Sequence, residues 1–257
     1  MPSAVFDPAE AVQLGQLVLA AYDLYSSGAA APVLPPGYTL VSNIYADDIT
    51  DNDPAYKVFG FIARKGPEVV VAVRGTEGIL EWIRNFDLEL VRFPYATAGK
   101  TEQGFNGFYA TFRTGNTVTD YRVITTLSQL VAVGDVTSIK ITGHSLGGAL
   151  ATMLAVDLAA NSVWVNPIVY TFASPRVGDK VFAGTCDNLV ATSWRISNLN
   201  DLVPKLPPEL TGFVHVDAEF PINSDDRCRQ TFDCWHSMLT YLNTINPTIA
   251  LAPSCVP

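Results

Sequence analysis

The first 56 residues of the 257-residue chain contain no lysine or arginine, although they contain seven aspartates and glutamates. A signal peptide needs a positively charged start, so this composition argues against one. The whole chain carries a formal charge of −9 at neutral pH. Such an acidic surface repels nucleic acid, and we therefore expect no nucleic-acid partner.

Apolar runs long enough to cross a bilayer are also missing. The stretch at residues 9–25 is interrupted by Glu10, Gln13 and Gln16, and it predicts an amphipathic helix rather than a membrane span. Hydrophobic residues make up 48% of the chain and charged residues 16%, a balance typical of a protein with a large buried core. We expect one folded domain over residues 1–257, either soluble or the mature form of an exported protein.

Cysteine is scarce, and none of the four cysteines belongs to a C-x-x-C pair. The usual sequence pattern of a zinc site is therefore lacking, and we expect no bound metal. Cys228 and Cys234 are close enough in sequence for a small disulfide loop; the alternative is four buried thiols, with Cys186 and Cys255 as the others. An even number of cysteines clustered in the last third favours an oxidising compartment, so we expect a secreted protein.

Strand-like and helix-like segments alternate along the chain. The sequence RKGPE is a turn signal between two strands, and the run VVVAVR is typical of a strand buried on both faces. The alternation predicts an α/β protein with a central, mostly parallel sheet flanked by helices. The predicted segments are helix 8–25, strands 57–64 and 68–74, a largely helical stretch 104–132 with a break at Gly115, strand 137–142, helix 147–160, strand 168–173, helix 179–186, strand 190–197 and helix 236–245.

The strongest motif is a G-x-S-x-G sequence, Gly143 to Gly147, between a predicted strand and a predicted helix. A turn this sharp strains the backbone of its central residue, Ser145. It requires glycines two positions before and after, because side chains there would collide with neighbouring elements. The serine is left at the tip, beside helix N-terminal amides that can stabilise an oxyanion. The motif predicts a nucleophilic serine; the alternative is a tight turn that happens to hold a serine.

A serine nucleophile needs a general base, and the chain has only three histidines. His144 adjoins Ser145 and is expected to point away from it. Where such an elbow is used, the partners follow in the order serine, acid, histidine, so His215 or His236 fits on order alone. We prefer His236, near the C-terminus, because it leaves room for an acid before it. His215 alternates with apolar residues, as a structural residue in a strand does.

Asp201 is the preferred acid. It follows the strand WRISNLN and lies in the loop at its C-terminal end, where open α/β sheets place their sites. Its role would be to hold the imidazole in the right tautomer and to stabilise the imidazolium. The other candidates are aspartates 157, 179 and 187, on predicted helices, and aspartates 217, 225, 226 and 233, which we expect to be solvated.

Taken together, the segments resemble those of the class 3 lipases, typified by secreted fungal triacylglycerol lipases with the α/β-hydrolase fold. The resemblance runs from about residue 68 to residue 241. It is carried, in the family's order, by VVVAVRGTEGILEWIRNFD, QGFNGFYATF, ITGHSLGGALATMLAVDL, YTFASPRVGD, RISNLNDLVPKLPP, GFVHVDAEF and the segment around His236. It implies a catalytic triad of Ser145, Asp201 and His236, and a reaction that needs no metal or organic cofactor.

The resemblance also implies an oxyanion hole formed by Thr76 and Leu146. Chemistry requires the same arrangement, two amide donors converging where negative charge develops, to which the Thr76 hydroxyl can add a third. The alternative for Thr76 is a residue that only caps the next helix. That helix is implied to be a lid, the alternative being an ordinary packed helix, and Tyr22 is a candidate pocket wall. The apolar residues of the candidate lid are Ile79, Leu80, Trp82 and Ile83.

We therefore expect a serine carboxylester hydrolase, specifically a triacylglycerol lipase with a mobile lid. It would act as a monomer at a lipid–water interface. The alternatives are an esterase for soluble esters or feruloylated polysaccharide, a phospholipase, an acyltransferase that excludes water, and a non-catalytic lipid-binding module.

Overall fold

The computed structural model of the protein describes residues 5–47, 56–76, 78, 88–162, 166–216 and 218–257. Short 3₁₀ turns lie at Val203–Lys205, Glu209–Thr211 and Pro253–Cys255. The helices and strands of the described ranges are α1 (Pro8–Ser27), β1 (Thr39–Asp47), β2 (Tyr56–Lys65), β3 (Glu68–Val73), β4 (Leu90–Arg92), β5 (Lys100–Glu102), α2 (Gln103–Ala110), α3 (Val123–Ala132), β6 (Ser138–His144), α4 (Leu146–Asn161), β7 (Ile168–Phe172), β8 (Gly178–Asp179), α5 (Lys180–Leu189), β9 (Thr192–Asn198), β10 (Phe213–Val214), β11 (Glu219–Ile222), α6 (Phe232–His236) and α7 (Met238–Ile245).

The main sheet has seven strands in the order β1-β2-β3-β6-β7-β9-β11. The pairings from β3 through β11 are parallel, and β1, β2 and β3 pair antiparallel. A smaller antiparallel sheet has the order β10-β8-β5-β4. This architecture confirms the predicted α/β fold with a mostly parallel central sheet flanked by helices.

The alternation of side chains along β3 explains why both faces of the main sheet are covered. Val69, Val71 and Val73 enter the hydrophobic core shared with α2, α3 and α4, while Val70 and Ala72 enter the core shared with α1 and α7. All five residues are fully buried. Successive residues of a strand point to opposite faces, so a continuous apolar run needs a helical layer on each side.

Several strands and one interruption differ from the prediction. Edge strands β1 and β11 and the strands of the smaller sheet were not predicted. The break expected at Gly115 in the helical stretch 104–132 is confirmed, because the stretch is two helices, α2 and α3, separated by irregular chain. At Arg113 the backbone pairs with Tyr45 of β1 through N–H···O bonds of 2.8 and 2.9 Å, so it is not available to a helix. The predicted helix 236–245 is preceded by α6 and broken at Ser237, which has an extended backbone.

The disulfide joins Cys234 to Cys255, while Cys186 and Cys228 are free buried thiols. The suggested pairing of Cys228 with Cys234 is therefore wrong, and so is the alternative of four thiols. The disulfide joins the C-terminal 3₁₀ turn to α6, and the Arg229 amide, just before α6, donates to the Cys255 carbonyl at 2.8 Å. Within the described ranges, no helix combines the length and apolarity needed to cross a membrane.

Candidate active site

The turn between β6 and α4 holds Ser145 in an unusual backbone conformation, with φ 59° and ψ −127°. A positive φ is strained for a residue other than glycine and costs on the order of 1–3 kcal/mol. Hydrogen bonds hold the turn: the Ser145 amide donates to the Phe172 carbonyl and the Gly148 amide donates to the Ser145 carbonyl, both at 2.9 Å. The strained residue is therefore fixed by β7 on one side and by the first turn of α4 on the other.

The two motif glycines are required by close backbone approach. A Cβ added to Gly143 would lie 2.2 Å from the Gly147 carbonyl oxygen, and one added to Gly147 would lie 2.3 Å from the Arg74 carbonyl oxygen. Distances below about 3 Å do not occur for real Cβ atoms. The elbow is thus packed directly against the end of β3, where the sequence Arg-Gly-Thr begins.

The structure brings Ser145, His236 and Asp201 together, although they lie on three separate segments. His236 Nε2 is 3.0 Å from Ser145 Oγ, and His236 Nδ1 is 2.7 Å from Asp201 Oδ2. The carboxylate accepts only, so Nδ1 carries the proton and Nε2 is free to accept the serine proton. All three residues are buried, with 1%, 6% and 0% exposure respectively. The array is the arrangement that activates a serine hydroxyl.

The carboxylate of Asp201 has further donors that hold it in place. The Val203 amide donates to Oδ1 at 2.9 Å, and the Tyr241 hydroxyl donates to Oδ2 at 2.8 Å. Burial, and after it the negative charge of Asp201, raises the pKa of Tyr241 far above its usual value, so this hydroxyl keeps its proton. Sequence reasoning missed Tyr241, which lies 40 residues from Asp201 in the chain.

The helix that carries His236 is also anchored. Its N-terminus is capped by Thr231, whose hydroxyl accepts from the Cys234 amide. The Asn198 side chain, at the end of β9, donates to the Trp235 carbonyl at 2.9 Å. Since β9 also leads into Asp201, one strand end positions both the acid and the helix of the base.

Thr76 follows Gly75, which lies against the serine. A Cβ on Gly75 would be 2.9 Å from Ser145 Cβ and 2.6 Å from the Tyr22 hydroxyl. The Gly75 amide donates to that hydroxyl at 2.8 Å. Leu146 is the first residue of α4, and amides of a first helical turn have no intrahelical acceptor. Both candidate oxyanion donors thus flank Ser145.

The remaining histidines have different surroundings. His215 Nε2 donates to the Pro204 carbonyl at 2.6 Å. Burial, together with the nearby Arg195 charge, lowers the pKa of His215 to about 3. His144 contacts the Tyr22 hydroxyl through Nδ1 at 2.8 Å and the His236 carbonyl through Nε2 at 2.9 Å. Sequence reasoning did not anticipate that His144 touches the candidate base.

The other aspartates are occupied elsewhere or exposed. Asp157, on α4, is buried and bonds to Tyr109 and Arg122. Asp179 caps α5. Asp187 lies in α5, Asp217 lies outside the described residues, and aspartates 225, 226 and 233 are exposed or nearly so. In the described part of the chain, no group of three or more His, Cys, Asp or Glu side chains is arranged to hold a metal ion.

An open cavity of about 360 Å³ lies beside His236. Apolar side chains of α1 and α7 form much of its wall, and Tyr22, Thr76 and His236 form its polar side. The apolar wall includes Leu19, Met238 and Leu239. The candidate lid residues Ile79, Leu80, Trp82 and Ile83 lie outside the described residues.

Comparison with known proteins places this geometry in context. The family model for class 3 lipases matches residues 70–211. The chain is 30% identical over 204 residues to a lipase of Rhizomucor miehei, covering 74% of this chain and 54% of the relative. It is 29% identical over 246 residues to phospholipase A1-II 7 of Oryza sativa subsp. indica, covering 83% and 58%. It thus spans little more than half the length of these relatives.

The fold is also similar to that of a solved triacylglycerol lipase in which a serine protease triad forms the catalytic centre. The TM-score is 0.68 with 24% sequence identity, and the match covers 86% of this chain and 82% of the other.

Proposed function

Since this chain belongs to the class 3 lipase family, we propose that it is a serine carboxylester hydrolase, specifically a triacylglycerol lipase. The observation that carries the proposal is the hydrogen-bonded array from Asp201 through His236 to Ser145, at 2.7 and 3.0 Å, on a strained strand-to-helix turn. A serine protease triad also forms the catalytic centre of the similar triacylglycerol lipase. No metal or organic cofactor enters the proposed reaction.

In the first half of the reaction, Ser145 Oγ attacks the ester carbonyl while His236 Nε2 takes its proton. Asp201 keeps the His236 proton on Nδ1 and stabilises the imidazolium that forms. The carbonyl oxygen becomes an oxyanion, which accepts hydrogen bonds from the Thr76 and Leu146 amides. The tetrahedral intermediate collapses, and His236 gives its proton to the departing alcohol, leaving an acyl group on Ser145.

In the second half, water replaces the alcohol. His236 Nε2 takes a proton from the water as its oxygen attacks the acyl carbonyl, and the same two amides stabilise the second oxyanion. Collapse of this intermediate breaks the bond to Ser145 Oγ, which recovers its proton from His236. The products are one carboxylic acid and the restored enzyme.

Access to Ser145 requires movement, because the residue is only 1% exposed. We assign the cover to the lid predicted at Ile79, Leu80, Trp82 and Ile83. Burial of four such side chains stabilises a closed state by at most roughly 6–12 kcal/mol. A lipid surface that replaces those contacts favours the open state. The enzyme is accordingly proposed to act as a monomer at a lipid–water interface and to be secreted.

A phospholipase is the second candidate, because the similarity to the rice phospholipase A1 covers 83% of this chain. The same acyl-enzyme chemistry serves triacylglycerols and phospholipids. The two substrates differ in whether the glycerol carries a third acyl group or a phosphate headgroup.

The test is a series of triacylglycerols of rising chain length, assayed for released fatty acid across the solubility limit of each. A lipase with a working lid gives a jump in rate when droplets appear. Trp82→Ala should weaken that jump while hydrolysis of soluble short-chain esters persists. Ser145→Ala serves as the inactive control.

Other outcomes would contradict the proposal. Simple saturation on short soluble esters without long-chain hydrolysis indicates an esterase, and faster hydrolysis of phosphatidylcholine vesicles indicates a phospholipase. Transfer of the acyl group to an added alcohol in preference to water indicates an acyltransferase. Binding of lipid without turnover indicates a lipid-binding module.

A further inference from the structure

A chain of hydrogen bonds joins the loop before Thr76 to the candidate base. The Gly75 amide contacts the Tyr22 hydroxyl at 2.8 Å, the same hydroxyl contacts His144 Nδ1 at 2.8 Å, and His144 Nε2 contacts the His236 carbonyl at 2.9 Å. Four segments far apart in sequence are connected: α1, the loop after β3, the end of β6, and α6. None of these contacts belongs to the triad itself.

The donor and acceptor of each hydrogen bond in this series follow from the His236 carbonyl at one end. The His236 carbonyl can only accept, so His144 Nε2 carries the proton. In a neutral ring the other nitrogen then accepts, so Tyr22 O–H donates to Nδ1, and the Tyr22 oxygen accepts the Gly75 N–H. The His144 side chain is buried, with its ring centre 4.6 Å from that of His236. Burial, and then the positive charge that His236 can carry, lowers the pKa of His144, which keeps the ring neutral.

Gly75 is also held through its carbonyl, which belongs to the peptide group that carries the Thr76 N–H. Arg74 is 1% exposed, and its Nη1 donates to the Gly75 carbonyl at 2.6 Å. The carbonyl and the following N–H of a trans peptide point in opposite directions. The arginine contact therefore sets the direction of the Thr76 N–H, while the Tyr22 contact fixes the residue before it.

We propose that Tyr22 and His144 are positioning residues that hold the Thr76 oxyanion donor and the His236 base in one fixed frame. The inference rests on the proposed hydrolase function. Tyr22 acts on the donor through Gly75, and His144 acts on the base through the His236 carbonyl. Neither side chain needs to touch the reacting atoms. The hydroxyl of Tyr22, rather than its ring in the cavity wall, is the group that matters.

The conservative variant Tyr22→Phe tests this directly, because it keeps the ring and removes the hydroxyl. We expect kcat for a soluble short-chain ester to fall roughly tenfold, as loss of the buried hydrogen bond to the Gly75 amide predicts, with KM changed by less than about twofold. Tyr38→Phe is the matched control. It removes a hydroxyl that bonds to Gln13 and Glu68 and takes no part in the hydrogen bonds between Gly75 and His236. The kcat of Tyr38→Phe should therefore equal that of the wild type.

A double-mutant cycle with His144→Gln tests whether the two residues act as one unit. If they do, kcat of the double variant should lie within about twofold of kcat of the slower single variant, because either change breaks the same series of hydrogen bonds. Additive losses would overturn the coupling. Wild-type kcat in Tyr22→Phe, or a change confined to KM, would overturn the positioning role.

Hydrogen exchange of the Gly75 amide provides a readout that needs no activity. Tyr22→Phe should raise its exchange rate by at least about tenfold, while Tyr38→Phe leaves it unchanged. Unchanged exchange in Tyr22→Phe would refute the hydrogen-bond chain. An inactive wild-type protein would instead refute the proposed hydrolase function. The exchange result would still show whether the Tyr22 hydroxyl bonds to the Gly75 amide.

Discussion

Replacing Gly75 with alanine should strongly lower kcat while leaving the fold intact. The added Cβ would lie 2.6 Å from the Tyr22 hydroxyl, and 2.9 Å from both the His144 carbonyl oxygen and Ser145 Cβ. Ordinary van der Waals contact begins at 3.4 Å. The loop that carries the Thr76 amide must therefore shift by roughly 0.5–1 Å relative to the serine, a displacement that can cost about 10²-fold in rate.

Loss of one oxyanion donor costs a similar amount, so we expect kcat of Gly75→Ala to fall by about 10²–10³. The assay is hydrolysis of p-nitrophenyl butyrate below its solubility limit, with thermal unfolding measured in parallel to show that the variant is folded. Gly184→Ala is the matched control, since nothing lies within 4 Å of a Cβ at that position of α5. It should retain wild-type kcat and gain up to about 1 kcal/mol of stability from helix propensity.

A Gly75→Ala variant with kcat within about threefold of the wild type would refute the reasoning. It would mean that the loop at Thr76 supplies no essential donor, and the residue would then be only the cap of the following helix.

Two further predictions concern stability. Because the pKa of native His215 is about 3, against 6.5 for the exposed group, the unfolded state binds more protons between these values. Through His215, the free energy of unfolding should therefore fall by up to ~1.4 kcal/mol per pH unit as the pH drops below 6.5, in addition to an effect of the same sign from buried His144. His215→Gln should reduce this slope in urea titrations at pH 7, 5.5 and 4, and an unchanged slope would contradict it. Replacing Cys234 and Cys255 by serine opens a loop of 21 residues and should lower the free energy of unfolding by about 3 kcal/mol. We also expect a lower kcat, because α6 carries His236. Equal stability in the same urea titrations would refute this prediction.

Local sequence patterns were sufficient to predict those parts of the structure that depend on local geometry. The apolar run in β3 required two covered faces, and the strand, glycine, serine and helix pattern around Ser145 required a tight elbow. The fold class followed from these features and is confirmed by the structure. The assignment of roles to Ser145, Asp201 and His236 remains a prediction, although the structure brings the three side chains within hydrogen-bond distance.

Features that depend on long-range contacts escaped prediction. Tyr241 reaches Asp201, and His144 reaches the carbonyl of a residue 92 positions away, only because α6 and α7 pack at the ends of β6 and β9. No periodicity reports such a contact. Proximity in sequence also favoured the wrong cysteine pair, because the C-terminal turn folds back onto α6 and brings Cys255 to Cys234.

Gly115 indicated the break in the helical stretch 104–132, but the pairing of that break with the main sheet escaped prediction for the same reason. The backbone groups of Arg113 pair with β1, which is another long-range contact. That strand was itself missed, because its side chains are mostly half-buried and do not alternate clearly. The lid lies outside the described residues and stays a prediction.

Covalent trapping of the nucleophile tests the central claim most directly. An alkyl phosphonate p-nitrophenyl ester should modify the wild-type protein once, in step with loss of ester hydrolysis, and peptide mass spectrometry should locate the adduct on Ser145. Ser145→Ala should remain folded, take up no label and lose at least about 10⁴ in kcat. A label on another residue, or hydrolysis that persists in Ser145→Ala, would contradict the account.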